Sequence, residues 1–410
     1  MAVVAAVVPG ATAYAAAEDD PPAAPLSESR KALEQAQESG QRVEVTGQRT
    51  ARTTVFANPD GNTFTLEESS TPVRAPAADG EWQAPDPTLV KRADGTVGPK
   101  GAAVQMEFSG GGDTGPLARI EDQGRTLALD WPGKLPAPRL DGPSAVYPEV
   151  LKDVDLQVTA TPESFKYVLV VKTPEAAASD ELEKLTFDLD TQHLTVREGV
   201  AGNLAAVDGN GTTVFKAPPA RMWDSAGRDT DSGTEPQLVT VQAADTPGGT
   251  QEGQPSDPAE SAPSGSGLEP GQGDTVARID VEVTKGALSV IPDAEMLTST
   301  EPSAFPVFID PPVTWGESER TLLRSDGYES YGWGNGDDGM GKGAGKCGSW
   351  SGYYCGPGYV QKLYFEFSPE KLAGKKILDA TFRVTEPWAF QCDPRWVDLV
   401  RTNNISSSTT

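Results

Sequence analysis

The sequence of 410 residues holds a single histidine, His193, and only three cysteines. One imidazole cannot build a His-rich zinc site and leaves at most one histidine base, so most hydrolytic machinery built on histidine is excluded. Basic residues are also scarce: 34 Lys and Arg stand against 60 Asp and Glu, a formal charge of −26. Such a surface repels phosphate backbones and anionic lipid, which argues against nucleic acid as a partner. After the first residues, no run approaches the ~20 apolar residues that a membrane helix requires. Helix formers are diluted by 43 Gly and 35 Pro, a load that excludes an all-α fold. What the chain does contain is a long series of short β-branched and aromatic runs, with a length sufficient for two or three domains.

Residues 1–17, MAVVAAVVPGATAYAAA, form a short apolar run closed by small residues, with Ala13-Tyr14-Ala15 matching a signal-peptidase site. A basic n-region is missing, so the run reads as a truncated signal peptide or as a flexible Ala-rich N-terminus, and export is the expectation. Cys347, Cys355 and Cys392 all lie in the last 64 residues. An oxidising compartment allows one disulfide among them and leaves one thiol over. Spacing does not decide the pairing, and a Cys₃ zinc site lacks both a CxxC pair and a nearby histidine.

Ser27 is placed to cap a short polar helix that Gly40 stops, within a polar linker spanning 18–42. Strand signals follow at Val43 to Thr46 and Thr53 to Ala57, and the turn Asn58-Pro59-Asp60-Gly61 leads into Thr63 to Leu66. Further runs occupy 104–108, 126–131, 153–160, 165–171, 185–189, 204–207, 213–215, 276–283 and 305–309. Val154, Leu156 and Val158 alternate with Asp153, Asp155 and Gln157, which predicts a strand with one wet face paired to Phe165–Val171. Asp208-Gly209-Asn210-Gly211 predicts a tight hairpin turn. Positions 226–274 carry nine Gly, six Pro, five Ser and nine acidic residues against one Arg, and read as a disordered acidic insertion. The fold expected is mainly β: an antiparallel β-sandwich over 43–312, then a second, incomplete β-sandwich domain over 313–410. In that second part the predicted strands are Gln361 to Phe367, Lys376 to Thr385 and Trp396 to Thr402, with a turn of helix at Pro369 to Leu372. No closing strand precedes Ser406–Thr410, which suggests a truncated product.

The motifs with chemical content are few. His193 has no Gly-x-Ser-x-Gly context and reads as a surface or edge residue. Sixty acids supply no spacing that singles out a glycosidase pair. Asp337 and Asp338, within Asn335-Gly336-Asp337-Asp338-Gly339, offer oxygen ligands for calcium but miss the EF-hand spacing, so a solvated turn is favoured, as it is for Asp224, Asp229 and Asp231. Tyr331, Trp333, Trp350, Tyr353 and Tyr354 lie in Gly-rich sequence and suit either a stacking platform for sugar rings or the plug of a small β core. The core reading is favoured on burial energetics, and glycan binding is the most specific functional reading. No cofactor is expected.

The block LYFEFSPEKLAGKKILDATFRVTEPWAFQC, followed by VDLVRTNNISSSTT, resembles the DNRLRE-type β domain of secreted actinobacterial proteins. The earlier block, from DWPGKLPAPRLDGPSAVYPEV to APPARMWDS and FPVFIDPP, is similar to the region that precedes that domain. Such proteins continue into LamG-like jelly rolls or RHS and YD repeats. The resemblance therefore implies a cell-surface or secreted adhesive scaffold, and with no group poised for catalysis the chain reads as non-enzymatic, with polysaccharide or cell-envelope components as expected partners. It supplies no catalytic residues. Its alternative is the delivery portion of a larger extracellular enzyme or RHS-type toxin.

Overall fold

In the computed structural model the helix begins where Ser27 accepts a hydrogen bond from the Arg30 amide (3.4 Å) and runs over Glu28–Ser39. It ends at Gly40, whose φ of 68° is the left-handed conformation that glycine adopts without strain. The structure describes residues 27–112, 114–199, 203–227, 270, 274–311, 319–325, 329–331, 343–346, 349–350, 353–354, 358–367, 370–385 and 396–402. The residues 1–17, most of the acidic stretch 226–274 and all three cysteines lie outside them. The chain forms two compact units, Met1–Arg49 with Thr54–Glu67, and Thr50–Thr53 with Glu68–Thr410.

In the first unit the helix packs Ala32 and Ala36 onto Val45, Val55 and Ala57. Small residues on the helix let it lie close to the sheet. Asp60 orders the predicted turn: its carboxylate accepts from the amides of Asn62 and Thr63 (both 2.9 Å) and from the Thr63 hydroxyl (2.6 Å). The Thr63 hydroxyl and these amides hold the Asp60 carboxyl below its usual range.

The second unit is mainly β and antiparallel, consistent with a β-sandwich. One sheet has eight strands in the order Asp280–Thr284, Ala287–Ile291, Leu185–Gln192, Arg125–Asp130, Ala118–Asp122, Gln105–Phe108, Val97–Gly101 and Asp86–Lys91. The other has seven: Arg139–Asp141, Ser144–Leu151, Val154–Ala160, Phe165–Val171, Val307–Asp310, Arg221–Trp223 and Val276–Arg278. The predicted pairing of Val154–Ala160 with Phe165–Val171 is present over seven consecutive residue pairs, and Val154, Leu156 and Val158 all face the core. The two sheets meet through aromatic edges. Phe108 of the first meets Phe165 of the second (centroids 5.6 Å), Tyr167 meets Phe187 (5.7 Å), and the Tyr147 hydroxyl donates to the Ser109 carbonyl (2.6 Å). A three-stranded sheet, Thr195–Glu198, Leu204–Val207 and Thr213–Ala217, contributes Leu204, Ala206, Phe215 and Ala217 to the same core. Its hairpin turn is the predicted one, with Asp208 accepting from the amides of Asn210 and Thr212.

Among the described residues, two expected strands are not formed. Val360–Glu366 and the short 3₁₀ turn Glu370–Leu372 form as predicted, but Lys376–Thr385 and Trp396–Thr402 carry no ladder and lie exposed. Alternation fits a segment to one face of a sheet; it does not supply the neighbour whose amides and carbonyls complete a strand.

Candidate functional site

One of the aromatic candidates belongs to a four-stranded sheet in the order Glu329–Tyr331, Glu319–Arg324, Val360–Glu366, Gly345–Lys346. Tyr331 lies on an edge strand opposite Thr321. Trp350 and Tyr353 are opposite one another in a separate two-residue hairpin, with Tyr354 opposite Ser349. The backbone thus places three of the five predicted aromatics on one tight hairpin and a fourth on a sheet edge. Trp333, Asp337, Asp338, Cys347, Cys355 and Cys392 lie outside the described residues. At one end of this sheet the Arg324 guanidinium sits 4.1 Å from the centroid of the Tyr359 ring. The same corner is closed by the Ser325 amide donating to the Val360 carbonyl and the Val360 amide donating to the Ser325 hydroxyl, both 2.9 Å. Sequence reasoning missed the pair. Tyr359 follows the sequence Gly-Pro-Gly, but nothing in the sequence couples it to Arg324, 35 residues earlier.

A buried charge cluster fixes the strand that carries Arg324. Glu163, in the turn before Phe165–Val171, accepts from Arg320 of Glu319–Arg324 at 2.7 Å and is paired with Arg52. Both guanidiniums also donate to the Ser70 carbonyl. All three side chains are less than one-tenth exposed. Burial pushes the Arg320 guanidinium down to about 10, and the Glu163 carboxylate 2.7 Å away is its counter-charge. Arg320 is followed by the buried Thr321, Leu322 and Leu323, so this strand is held by both charge and packing. Lys371 adds a bond to the Thr53 hydroxyl (2.7 Å).

Other sites of possible chemistry are less developed. A cavity of about 30 Å³ lies among Leu127, Leu129, Phe165, Leu189, Val196 and Leu288. That is room for a water molecule, not a substrate. Lys216 also borders it, and burial lowers the Lys216 ammonium while Glu366 opposes the shift. His193 is exposed at the end of Leu185–Gln192, with φ 60°. Asp224 serves the backbone, accepting from the Ala226 amide (3.0 Å) and the Thr275 amide (2.7 Å). Among the described residues, no group of three or more His, Cys, Asp or Glu side chains is arranged to hold a metal ion, and no helix is long and apolar enough to cross a membrane.

Comparison with known proteins finds no matching family model, no matching curated protein and no matching solved structure.

Proposed function

We propose that the chain is a secreted or cell-surface binding scaffold, with no chemical step of its own, that recognises carbohydrate or other cell-envelope material through its aromatic hairpin and the sheet edge that carries Tyr331. The observation that carries this reading is the clamp of Arg52 and Arg320 on Glu163, which fixes the strand bearing Arg324 to a two-sheet core. A rigid sheet presenting short aromatic hairpins limits the ordering entropy lost on binding. Trp and Tyr faces stack on the CH-rich faces of sugars, while Arg324 beside Tyr359 supplies hydrogen-bond donors for hydroxyls. The likeness of the last hundred residues to DNRLRE-type domains agrees with this role. The test is a glycan array that includes bacterial wall polysaccharides, probed with the full chain. Binding to a defined set that Trp350→Ala and Tyr353→Ala abolish supports the reading; no signal on any polysaccharide rejects it.

A further inference from the structure

A strap formed by residues 50–53 and 69–74 gathers cations in a chain whose net charge is −26. The Ser69 amide donates to the Arg52 carbonyl (2.9 Å) and the Val73 amide to the Ala51 carbonyl (2.8 Å), which joins the two segments. Arg74 donates to the carbonyls of Thr50 and Thr53, both at 2.8 Å. Lys371 donates to the Thr53 hydroxyl (2.7 Å), which also bonds the Thr50 hydroxyl (2.6 Å). Lys371 stands at the start of a tight turn: the Lys375 amide donates to the Leu372 carbonyl (3.0 Å), and Gly374 takes the left-handed φ of 71°. Residues 371–376 therefore hold Lys371, Lys375 and Lys376, and no acid, within one turn. All three lysines are exposed, and none of them makes an ion pair among the described residues, although the chain carries 60 acidic residues.

We infer that this turn, with the strap hydroxyls beside Lys371, is a binding site for acidic polysaccharide. Three ammonium groups kept within one turn repel one another, and an anionic ligand relieves that repulsion while gaining charge-assisted hydrogen bonds. At physiological ionic strength exposed charges interact over about 8 Å, so the local basic run, and not the net charge of the whole chain, decides what binds there. The shape of the ligand follows from the same comparison. A bilayer or a nucleic-acid duplex is a broad negative surface that also meets the acidic remainder of the protein, whereas a single polysaccharide strand engages the turn alone. The strap adds hydroxyls suited to a sugar: Thr50 beside the Lys371 contact, and Ser69 and Thr71 on its other segment. This is a second site, on residues other than the aromatic hairpin, and it selects carboxylate-bearing sugars by charge.

Isothermal titration of the full chain at about 0.15 M NaCl with polygalacturonate, with neutral dextran and with vesicles of phosphatidylcholine and phosphatidylserine tests the assignment. Saturable binding to polygalacturonate alone is expected. Lys375→Gln with Lys376→Gln is expected to weaken it at least about tenfold, and raising the salt to about 0.5 M to weaken it likewise. Both side chains are exposed, so the melting temperature of the double variant should match wild type. No binding to polygalacturonate, binding to dextran or to the vesicles as tight as to polygalacturonate, or a double variant that binds like wild type overturns the proposal. Loss of polygalacturonate binding in Trp350→Ala but not in the double variant also overturns it, and leaves the reading of the aromatic hairpin standing.

Discussion

Replacing Glu163 by Gln preserves the side chain's shape and one acceptor for Arg320 while removing the charge that two guanidiniums share. Arg52, Glu163 and Arg320 are 9%, 5% and 4% exposed, so water cannot take over the lost solvation. Removing one partner of a buried ion pair costs about 3–5 kcal/mol. Here two cations lose their counter-charge at once, and we expect the upper part of that range, a large share of the ~5–15 kcal/mol by which a folded protein is stable. For a unit of this size the melting temperature should fall by roughly 5–8 °C. Urea unfolding followed by tryptophan fluorescence measures the loss, because buried Trp131 and Trp223 report on the sandwich. The triple change Arg52→Met, Glu163→Leu, Arg320→Met should recover most of it, since apolar side chains of similar volume carry no desolvation cost. A loss below about 1 kcal/mol for Glu163→Gln would show that the carboxylate is not holding the two cations, and the clamp argument would fall with it.

Three further expectations concern the sandwich. The Tyr147 hydroxyl donates to the Ser109 carbonyl, so Tyr147→Phe should cost about 1–3 kcal/mol in chemical denaturation by stranding a buried acceptor. The Tyr167 hydroxyl is buried without a hydrogen-bond partner among the described residues, so Tyr167→Phe should be neutral or stabilising, and a comparable loss at both tyrosines would refute the distinction. Burial, then the charges of Asp188 opposite it and Asp190, raises the Asp130 carboxyl. The proton is therefore held more tightly in the folded state. That stabilisation is complete below the unfolded carboxyl's range and lost as pH rises through the raised folded value. Asp130→Asn should accordingly gain about 0.5–1 kcal/mol at pH 7, with the difference from wild type shrinking as the buffer is acidified; a gain independent of pH would contradict the like-charge explanation.

Local pattern carried much of this architecture. The alternation of Val154, Leu156 and Val158, the parity of Phe165, Tyr167 and Leu169, and the turn residues at Asp60 and Asp208 each translate into the expected strand or hairpin, because a half-buried strand and a tight turn are decided within a few residues. Strands without such a pattern were missed. Val97–Gly101 contains two glycines and a proline, and Ser144–Leu151 contains Pro148; both are strands because neighbours in the sheet hold them. Lys376–Thr385 shows the opposite error: strong alternation, no ladder. The clamp had no local signal at all, since Glu163 meets Arg320 across 157 positions, and three charges scattered among 94 charged residues suggest nothing until the sheets are assembled. The predicted aromatics Tyr331, Trp350, Tyr353 and Tyr354 were legible by residue type, whereas the coupling of Arg324 to Tyr359 arises only from the register of Glu319–Arg324 against Val360–Glu366.

The claim that this scaffold exists to present an aromatic binding surface is tested most directly by isothermal titration of the full chain with soluble wall polysaccharide, alongside Trp350→Ala and Arg324→Ala. The account predicts saturable heat for the wild type, with each variant binding at least about tenfold more weakly at unchanged melting temperature. Undiminished affinity in both variants, or no heat from the wild type, would contradict it.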